Sequence, residues 1–423
     1  MRVLSGSAAA ASVRRMAARS SRYASVEPAV RRIISDVRRR GDQAIRKYAE
    51  KFDGLQRGAA LRVPESEIES AWAAANPGLK RALRTATANI RRFCEFQKPK
   101  EWMRSRDGVT LGQIVRPLES VGCYVPGGRH PLVSTLLMTV IPAQVAGVGA
   151  IRIVSPRVHP DVLAAAAMLG ATEIYRVGGA QAIAALAYGT ESILRVDKIV
   201  GPGNSYVTVA KKEVAFDCSI DFLAGATEGL IVSDDGRAEF IASDLVAQAE
   251  HDPEAMAVFI TTKPDLASRV SRCVQEMCRE NPAARESMRR NGLVLVSSSR
   301  RQSFDWANEI ACEHLTVDHG DLKQVRNAGS IFVGDYSAQA AGDYASGPNH
   351  VLPTGAAARF RGGLSVLDFV KLISVQRISR TGLRRIGPAI ELLAIAEGLQ
   401  GHAQSIRIRD GRSSAQSARS GHA

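Results

Sequence analysis

Hydrophobic and polar positions repeat with a period that changes along the chain, and the change divides the chain into three parts. Residues 26–53 and 66–97 carry apolar side chains at helical spacing, with a break at Gly41 in the first stretch. In the middle of the chain, short runs rich in β-branched residues alternate with helical patterns. Residues 364–376 and 379–400 return to a helical pattern. The sequence therefore predicts helices, then alternating strands and helices, then helices again.

The middle part contains eight strand candidates, and helical patterns separate most of them. This order is typical of parallel sheets with helices on both faces. Eight strands are more than we expect in a single sheet. We therefore predict an α/β protein with two Rossmann-like parallel-sheet domains and small helical segments at the N and C termini. The strand candidates are Val121–Val125, Ile151–Val154, Glu173–Val177, Lys198–Val200, Leu230–Ser233, Val258–Thr261, Leu293–Val296 and Ile331–Val333. The helical patterns lie at 132–147, 160–169, 180–188 and 204–214.

The same patterns predict a division into domains. Residues 1–24 are expected to form a basic N-terminal arm. Residues 25–124 together with 227–365 form a first, discontinuous α/β domain, and residues 125–226 form a second one. Residues 366–423 form a helical C-terminal tail, of which the last dozen residues, from Arg412, are expected to be disordered.

Composition narrows the class of protein. The chain has 423 residues, which is enough for two or three domains, and 45% of them are hydrophobic, as in ordinary globular proteins. It has no apolar run long enough for a transmembrane helix. Six scattered cysteines without a Cys-x-x-Cys spacing argue against a zinc knuckle or a disulfide framework. A reducing cytoplasm is the simplest compartment.

The net charge of +14 is concentrated at the two ends of the chain. Aromatic residues make up only 5% of the chain, and none alternates with the terminal arginines as a base-stacking surface would require. We therefore interpret the charge as a solvated face and expect neither a nucleic-acid nor a membrane partner. Although the first 25 residues resemble a transit peptide in composition, they lead directly into a helical pattern. The basic residues are Arg14, Arg15, Arg19, Arg22, Arg31, Arg32, Arg38, Arg39, Arg40, Arg407, Arg409 and Arg412.

Three glycine-bearing turns follow predicted strands, at 124–128, 177–181 and 200–204. Open α/β sheets bind ligands at the carboxyl ends of their strands, and glycine allows close approach of the backbone to an anion. None of the turns is a Gly-x-Gly-x-x-Gly fingerprint. Each could be a simple tight turn, but together they favour a cofactor cleft.

A polar face is predicted near the end of a helix over 240–252. Asp244, Gln248 and His251 share that face because they lie three and four residues apart. A carboxylate, an amide and an imidazole can bind a metal. They can equally form a solvated surface, and spacing alone does not decide between the two.

Two further polar segments could carry chemistry. Glu313 and His314 could share general acid–base work, although adjacent side chains usually diverge and a bend would be required. In the loop that follows, Asp343 could bind a metal, and His350 could bind a metal or a substrate. His402 is a further candidate ligand. One aspartate, one amide and two histidines would suit zinc without any cysteine.

Together these motifs resemble those of the L-histidinol dehydrogenase family, from about residue 30 to about residue 410. Many motifs in one order make the resemblance specific. It rests on Gly41–Ala44, Lys51–Asp53, Tyr124–Gly128, Val177–Ala184, Gly201–Asn204, Gln248–His251, Glu313–Leu315 and Gly347–Thr354.

The resemblance implies a zinc-dependent, NAD-linked oxidation of L-histidinol through L-histidinal to L-histidine, the last two steps of histidine biosynthesis. It implies a homodimer with shared active sites and one Zn²⁺ per subunit. The first α/β domain would carry zinc and the catalytic residues, the second would bind NAD, and the C-terminal tail would dock on the partner subunit.

The resemblance also assigns roles to individual residues. His314 would be the principal base in both half-reactions, and Glu313 would activate water. The zinc ligands would be Gln248, His251, Asp343 and His402, the last of them from the partner subunit. NAD contacts would be Tyr124, Gln181 and Asn204. Substrate contacts would be Thr227, His350, Glu397 and His314, besides the zinc ligands.

The chain departs from the family pattern at two places. Gly225-Ala226-Thr227-Glu228 replaces the family's Gly-Pro-Ser-Glu, and Cys312 replaces a proline before the catalytic pair. An alternative is a related dehydrogenase on the same scaffold that oxidises another polar alcohol, such as a sulfonated diol. Tyr344, Glu397 and His402 favour the histidinol branch.

Overall fold

The computed structural model describes residues 1–19, 24–127 and 132–411. The expectations for Arg22, Gly128 and the segment from Arg412 lie outside these described residues. The chain divides into two compact units. The first comprises Met1–Lys98 and Leu118–Phe369, and the second comprises Pro99–Pro117 and Val370–Ala423.

Helices and strands alternate through most of the first unit; the bounds that follow cover both units. The strands are β1 Arg2–Ser5, β2 Trp102–Arg106, β3 Val109–Pro117, β4 Ser120–Tyr124, β5 Ala150–Val154, β6 Ile174–Tyr175, β7 Lys198–Val200, β8 Ser219–Ile220, β9 Glu228–Val232, β10 Met256–Thr261, β11 Leu293–Val296, β12 His314–Val317, β13 Ser330–Val333 and β14 Val370–Ile378. The helices are α1 Gly6–Ala17, α2 Glu27–Tyr48, α3 Glu65–Ala74, α4 Pro77–Gln97, α5 Val133–Ala146, α6 Pro160–Met168, α7 Gly179–Tyr188, α8 Ser205–Val214, α9 Ala238–Ala249, α10 Pro264–Met277, α11 Pro282–Asn291, α12 Arg300–Ile310, α13 Gln339–Tyr344, α14 Arg380–Ala396 and α15 Gln400–Arg409. Of these elements, β2, β3, β14, α14 and α15 belong to the second unit.

A six-stranded parallel sheet runs in the order β1-β11-β10-β9-β12-β13. Successive strand residues point to opposite faces, so Val258 and Ile260 pack with α1 and α12, whereas Ala257 and Phe259 pack with α9, α10 and α11. Burial on both faces explains why β10 is apolar along its whole length.

A five-stranded parallel sheet, in the order β6-β5-β4-β7-β8, lies in the same unit. Helices α2, α7 and α8 share one apolar cluster with its strands, in which Ile183, Leu186 and Ile199 are fully buried. All eight predicted strands and all four predicted helices of the middle region are confirmed within a few residues. The break at Gly41 is also confirmed, since its φ of 47° lies outside the helical range.

The N-terminal segment differs from the expected basic arm. Within its described part, β1 pairs in parallel with β11, and α1 packs on α12 through the buried Ala9 and Val13. A local pattern could not reveal this role, because the partner strand lies almost the whole first unit away in sequence. The remaining domain boundaries stay a prediction.

The helix expected over 364–376 is wrong. Residues 366–369 form a single 3₁₀ turn, and Val370–Ile378 forms β14, which pairs antiparallel with β3. β2 completes this three-stranded sheet of the second unit. Val370, Ile373 and Val375 are β-branched and favour an extended strand once a partner is present. The helix expected over 379–400 is confirmed as α14.

Two further observations concern disulfide bonds and membrane-spanning helices. All six cysteines are free. Within the described ranges, no helix combines the length and the apolarity needed to cross a bilayer.

A buried ion pair stabilises the turn after β7. The Lys211 ammonium pairs with the Asp221 carboxylate, and both side chains are almost fully excluded from solvent. Lys211 Nζ also donates to the Gly201 carbonyl at 3.0 Å, and Gly201 N–H donates to Asp221 Oδ2 at 2.8 Å. The pair therefore fixes both sides of the glycine turn.

We predict that Lys211→Met lowers the free energy of unfolding by about 3–5 kcal/mol, because it leaves the Asp221 charge buried without a counter-charge. Chemical denaturation of the purified protein measures the change. The matched control is Lys212→Met, since the neighbouring Lys212 is half-exposed and pairs only with Glu27 at the surface. Equal midpoints for the two variants would contradict the role of the buried pair.

Candidate active site

Glu313 and His314 lie where α12 turns into β12. Helix α12 ends at Ile310, and Ala311 adopts a left-handed conformation with φ of 51°. This turn supplies the expected bend, so the adjacent side chains converge and place Glu313 Oε2 3.7 Å from His314 Nδ1. Both side chains are buried. The pair therefore lies at the start of β12.

The Glu313 carboxylate is held by the residues that lead into the neighbouring strand β9. Its Oε2 atom accepts hydrogen bonds from Thr227 Oγ1 at 2.8 Å and from Glu228 N at 2.9 Å. Gln248 Oε1 lies 3.2 Å from the same Thr227 hydroxyl. Since a hydroxyl has one proton, Thr227 can serve one of these two acceptors at a time.

His314 is oriented by Asp343 of α13. Its Nε2 atom lies 3.2 Å from Asp343 Oδ1, and a carboxylate can only accept, so Nε2 carries a proton. In the neutral imidazole, Nδ1 then keeps its lone pair. Nδ1 is buried and has no hydrogen-bond partner. It is therefore the atom available to accept a proton.

His350 is fully engaged within the chain. Its Nδ1 atom donates to the Asp343 carbonyl oxygen at 2.7 Å, and its Nε2 atom lies 3.3 Å from Thr135 Oγ1. Burial lowers the pKa of His350, which favours the neutral ring. In that state Nε2 accepts from Thr135. His350 thus supports the C-terminal end of α13, which carries Asp343.

Burial and charge act together on the pKa values of Glu313 and His314. Burial raises the pKa of Glu313 to about 7, with His314 opposing and Glu228 adding to the shift. Burial alone would lower the pKa of His314, but the charges of Glu313 and Asp343 outweigh it and raise that pKa. Asp343 has a lowered pKa, because hydrogen bonding and charge from His314 overcome its burial.

Gln248 and His251 lie at and just beyond the C-terminal end of α9. Gln248 is buried and its Nε2 atom has no partner. A Cβ at Gly229 would lie 3.0 Å from Gln248 Cγ, so the glycine leaves room for this side chain beside the strand. His251 Nδ1 donates to the Ala247 carbonyl at 2.9 Å, which leaves Nε2 with a lone pair.

These donors fit a divalent metal of borderline softness, since they combine an amide, an imidazole and the Asp343 carboxylate. The described residues contain no group of three or more His, Cys, Asp or Glu side chains arranged to hold a metal. The predicted set has only His251 and Asp343 of those types in the first unit. His402 on α15 and Glu397 at the end of α14 belong to the second unit.

Asp244 has a supporting place near these donors. It is half-buried, and burial raises its pKa to about 6, with the Asp343 charge adding to the shift and a backbone bond from Gln339 opposing it.

A cavity of about 1030 Å³ opens beside His251. Its walls come from α4 and α5, including Leu83 and Leu137, and polar side chains of Tyr344 and Asp161 also line it. The volume is sufficient for a small-molecule substrate.

The three residues predicted to contact NAD lie at one edge of the five-stranded sheet. Tyr124 ends β4, Gln181 lies in the first turn of α7 after β6, and Asn204 precedes α8 after β7. The carboxyl ends of parallel strands meet at the same edge, so the three glycine turns converge there. This is the cleft that open α/β sheets use for ligands.

Each of these residues also has a partner within the chain. Tyr124 Oη accepts from Gly179 N at 3.1 Å, and Asn204 Oδ1 caps α8 by accepting from Tyr206 N at 3.0 Å. Gln181 Nε2 donates to Asp53 Oδ2 at 3.1 Å. Their roles towards NAD stay a prediction.

Two supporting residues carry little or no signal in the sequence. Asp53 Oδ2 also accepts from Gly178 N at 2.9 Å, so it holds the second glycine turn from the π-helical end of α2. Its only sequence signal is its place in Lys51–Asp53. Thr135 of α5 had no local signal, because it contacts His350 across 215 residues.

The parallel sheets, the glycine turns and the buried carboxylate–imidazole pair define an α/β protein with a candidate active site. The chain belongs to the histidinol dehydrogenase family, whose model matches residues 16–410. It is 49% identical over 391 residues to the histidinol dehydrogenase of Methanothermobacter thermautotrophicus, covering 89% of this chain and 92% of that relative. The relative from Methanosarcina barkeri is 44% identical over 417 residues, covering 95% and 96%.

A solved structure supports the same assignment. The crystal structure of histidinol dehydrogenase from Elizabethkingia anophelis superposes with a TM-score of 0.92 at 33% identity. The match covers 97% of this chain and 98% of that one. The α/β fold class is thereby confirmed.

We predict that the metal-free protein loses stability relative to its Glu313→Gln variant as the pH rises from 5 to 8. Burial raises the pKa of Glu313 from its ordinary value of 4.5 to about 7, so the stabilising contribution of its protonated form is present below pH 4.5 and is lost as the pH rises through about 7. Glutamine removes this titration. The expected difference is on the order of 3 kcal/mol.

Thermal unfolding of both proteins across this pH range measures the effect. Parallel melting curves for wild type and Glu313→Gln would show that Glu313 is not held in its protonated form.

Proposed function

We propose that the chain catalyses the zinc-dependent oxidation of L-histidinol to L-histidine through L-histidinal, with NAD as the acceptor. The balanced overall reaction converts L-histidinol, two NAD⁺ and one water into L-histidine, two NADH and three protons. One observation carries the proposal. In a chain of the histidinol dehydrogenase family, the buried His314 presents an unpartnered Nδ1 beside Glu313, while Asp343 holds its Nε2 proton.

In the first half-reaction, His314 Nδ1 accepts the hydroxyl proton of histidinol as the carbinol C–H bond breaks. The carbon becomes the aldehyde carbon, and NAD⁺, when bound, would be the hydride acceptor. Asp343 stabilises the imidazolium that forms, which is the usual role of a carboxylate behind a catalytic histidine.

In the second half-reaction, Glu313 accepts a proton from the water that adds to the aldehyde. A carboxyl group whose pKa is about 7 can bind and release a proton near neutral pH. After His314 has released its first proton to solvent, it accepts the hydroxyl proton of the hydrate as the remaining C–H bond breaks, and a second NAD⁺ would be the hydride acceptor. L-histidine results.

Gln248, His251 and Asp343 would hold Zn²⁺ within this unit, and His402 would be the fourth ligand. When bound, the ion supplies Lewis-acid binding of the substrate's nitrogen and oxygen donors. Thr227, His350 and Glu397 would contact the substrate beside these ligands. Retention of the aldehyde between the two steps protects it from solvent.

Tyr124, Gln181 and Asn204 would contact NAD at the carboxyl edge of the five-stranded sheet. The backbone of Gly201 supports this role, since its φ of 110° and its close approach to the Tyr124 carbonyl require glycine.

A homodimer with shared active sites is part of the proposal. The second unit, which carries Glu397 and His402, exposes large apolar side chains at Leu392, Leu393 and Ile408. Such side chains are typical of a protein–protein interface. The free cysteines are consistent with a cytoplasmic location, and we expect neither a nucleic-acid nor a membrane partner.

We predict that His314→Asn lowers kcat for histidinol by about 10³-fold or more while leaving the zinc content unchanged, because the variant removes the proton acceptor but no proposed ligand. NADH formation and elemental analysis measure the two quantities. His319→Asn, at an exposed loop histidine, is the matched control. Loss of zinc in His314→Asn would show that this residue is a ligand and not the base.

We further predict that chelation abolishes NADH formation from L-histidinol and that added Zn²⁺ restores it. Gln248→Ala should weaken zinc retention, because it removes one donor of the set. No turnover of histidinol by the zinc-loaded protein, together with turnover of a sulfonated diol, would reject the proposed substrate.

A further inference from the structure

Arg19, just beyond the end of α1, bridges the N-terminal segment and the start of the catalytic strand. Its guanidinium makes a bidentate pair with Glu228, with Nε 2.6 Å from Oε1 and Nη2 bonded to Oε2. It also donates to the Ile310 carbonyl at 2.7 Å and to the Ala311 carbonyl at 3.3 Å. A planar guanidinium suits such a set of acceptors, which an ammonium could not satisfy together.

The Glu228 side chain is a buried carboxylate close to the catalytic pair. It is only 4% exposed, and its Oε1 atom also accepts from Gly355 N at 2.8 Å. A buried charge without a counter-charge is strongly unfavourable. Arg19 is the cation that pairs with it among the described residues.

Both Glu228 and the turn at Ala311, which Arg19 contacts, are directly connected to Glu313. The Glu228 backbone N–H donates to Glu313 Oε2 at 2.9 Å, so the position of residue 228 sets the position of the carboxylate. The carbonyls of Ile310 and Ala311 belong to the left-handed turn that brings Glu313 and His314 together. Arg19 therefore holds both sides of the catalytic pair.

We propose that Arg19 is a positioning residue for Glu313 and His314. By neutralising Glu228 and binding the turn at Ala311, it keeps the Glu313 carboxylate on Thr227 and the His314 imidazole facing the substrate. The N-terminal segment thus contributes to catalysis without contacting the substrate. The kinetic part of this inference rests on the proposed function.

The test compares Arg19→Gln, Arg19→Lys and the control Arg14→Gln as zinc-loaded proteins. Arg14 lies five residues earlier, on α1, and its side chain is exposed. We expect Arg19→Gln to lower kcat by about 10²-fold, because misplacement of a catalytic group by about 1 Å has such an effect. The KM values for histidinol and NAD should change by no more than about threefold.

Guanidinium ions at millimolar concentration should raise the kcat of Arg19→Gln about tenfold, because the free ion can pair with Glu228. They should leave the kcat of Arg14→Gln unchanged. Arg19→Lys should retain more activity than Arg19→Gln, since it keeps the positive charge. A kcat for Arg19→Gln within about twofold of wild type would overturn the proposal. So would a loss confined to KM, or a folded variant that guanidinium does not rescue.

A second readout needs no substrate. In protein labelled with ¹⁵N-histidine, the Nδ1 resonance of His314, assigned through His314→Asn, should shift in Arg19→Gln and stay unchanged in Arg14→Gln. An unchanged resonance in Arg19→Gln would overturn the positioning role. If wild type does not oxidise histidinol but the resonance shifts, the proposed function fails and the positioning role stands.

Discussion

The Glu313 carboxylate is buried beside the His314 imidazole, and the surrounding structure is built to satisfy this pair. A buried charge without partners would cost several kcal/mol, so each group requires hydrogen bonds or counter-charges from other segments. Thr227 and the Glu228 backbone hold Glu313, and Asp343 holds His314. Within this pair, His314 Nδ1 is left without a hydrogen-bond partner, and it is the atom that the proposed chemistry requires.

In the two parallel sheets, the candidate functional residues lie at opposite ends of the strands. The predicted NAD contacts lie at the carboxyl ends of the five-stranded sheet, as is general for open α/β sheets. The catalytic pair lies at the starting ends of β9 and β12 in the six-stranded sheet. At that sheet's carboxyl edge, Arg300 pairs with Asp318 at 2.9 Å and with Asp321, so this edge is occupied by its own ion pairs.

Local patterns predicted much of the fold, because apolar runs and glycine turns depend on neighbouring residues. They failed where a partner lies far away in sequence. The pattern of Val370–Ile378 is compatible with a helix, and pairing with β3 makes the segment a strand. Arg2–Ser5 has no strand signal of its own and forms a strand by pairing with β11. In the site, residue types and spacing suggested Gln248 and His251, but the contact between Arg19 and Glu228 spans 209 residues and had no local signal.

The most direct test of the account is to follow L-histidinol labelled with ¹³C at its carbinol carbon by NMR, with zinc-loaded protein and excess NAD⁺. The account predicts that the label appears as the carboxylate of L-histidine, with two NADH formed for each histidinol consumed and no free aldehyde accumulating. Recovery of unchanged L-histidinol would contradict it, as would release of the aldehyde as the final product.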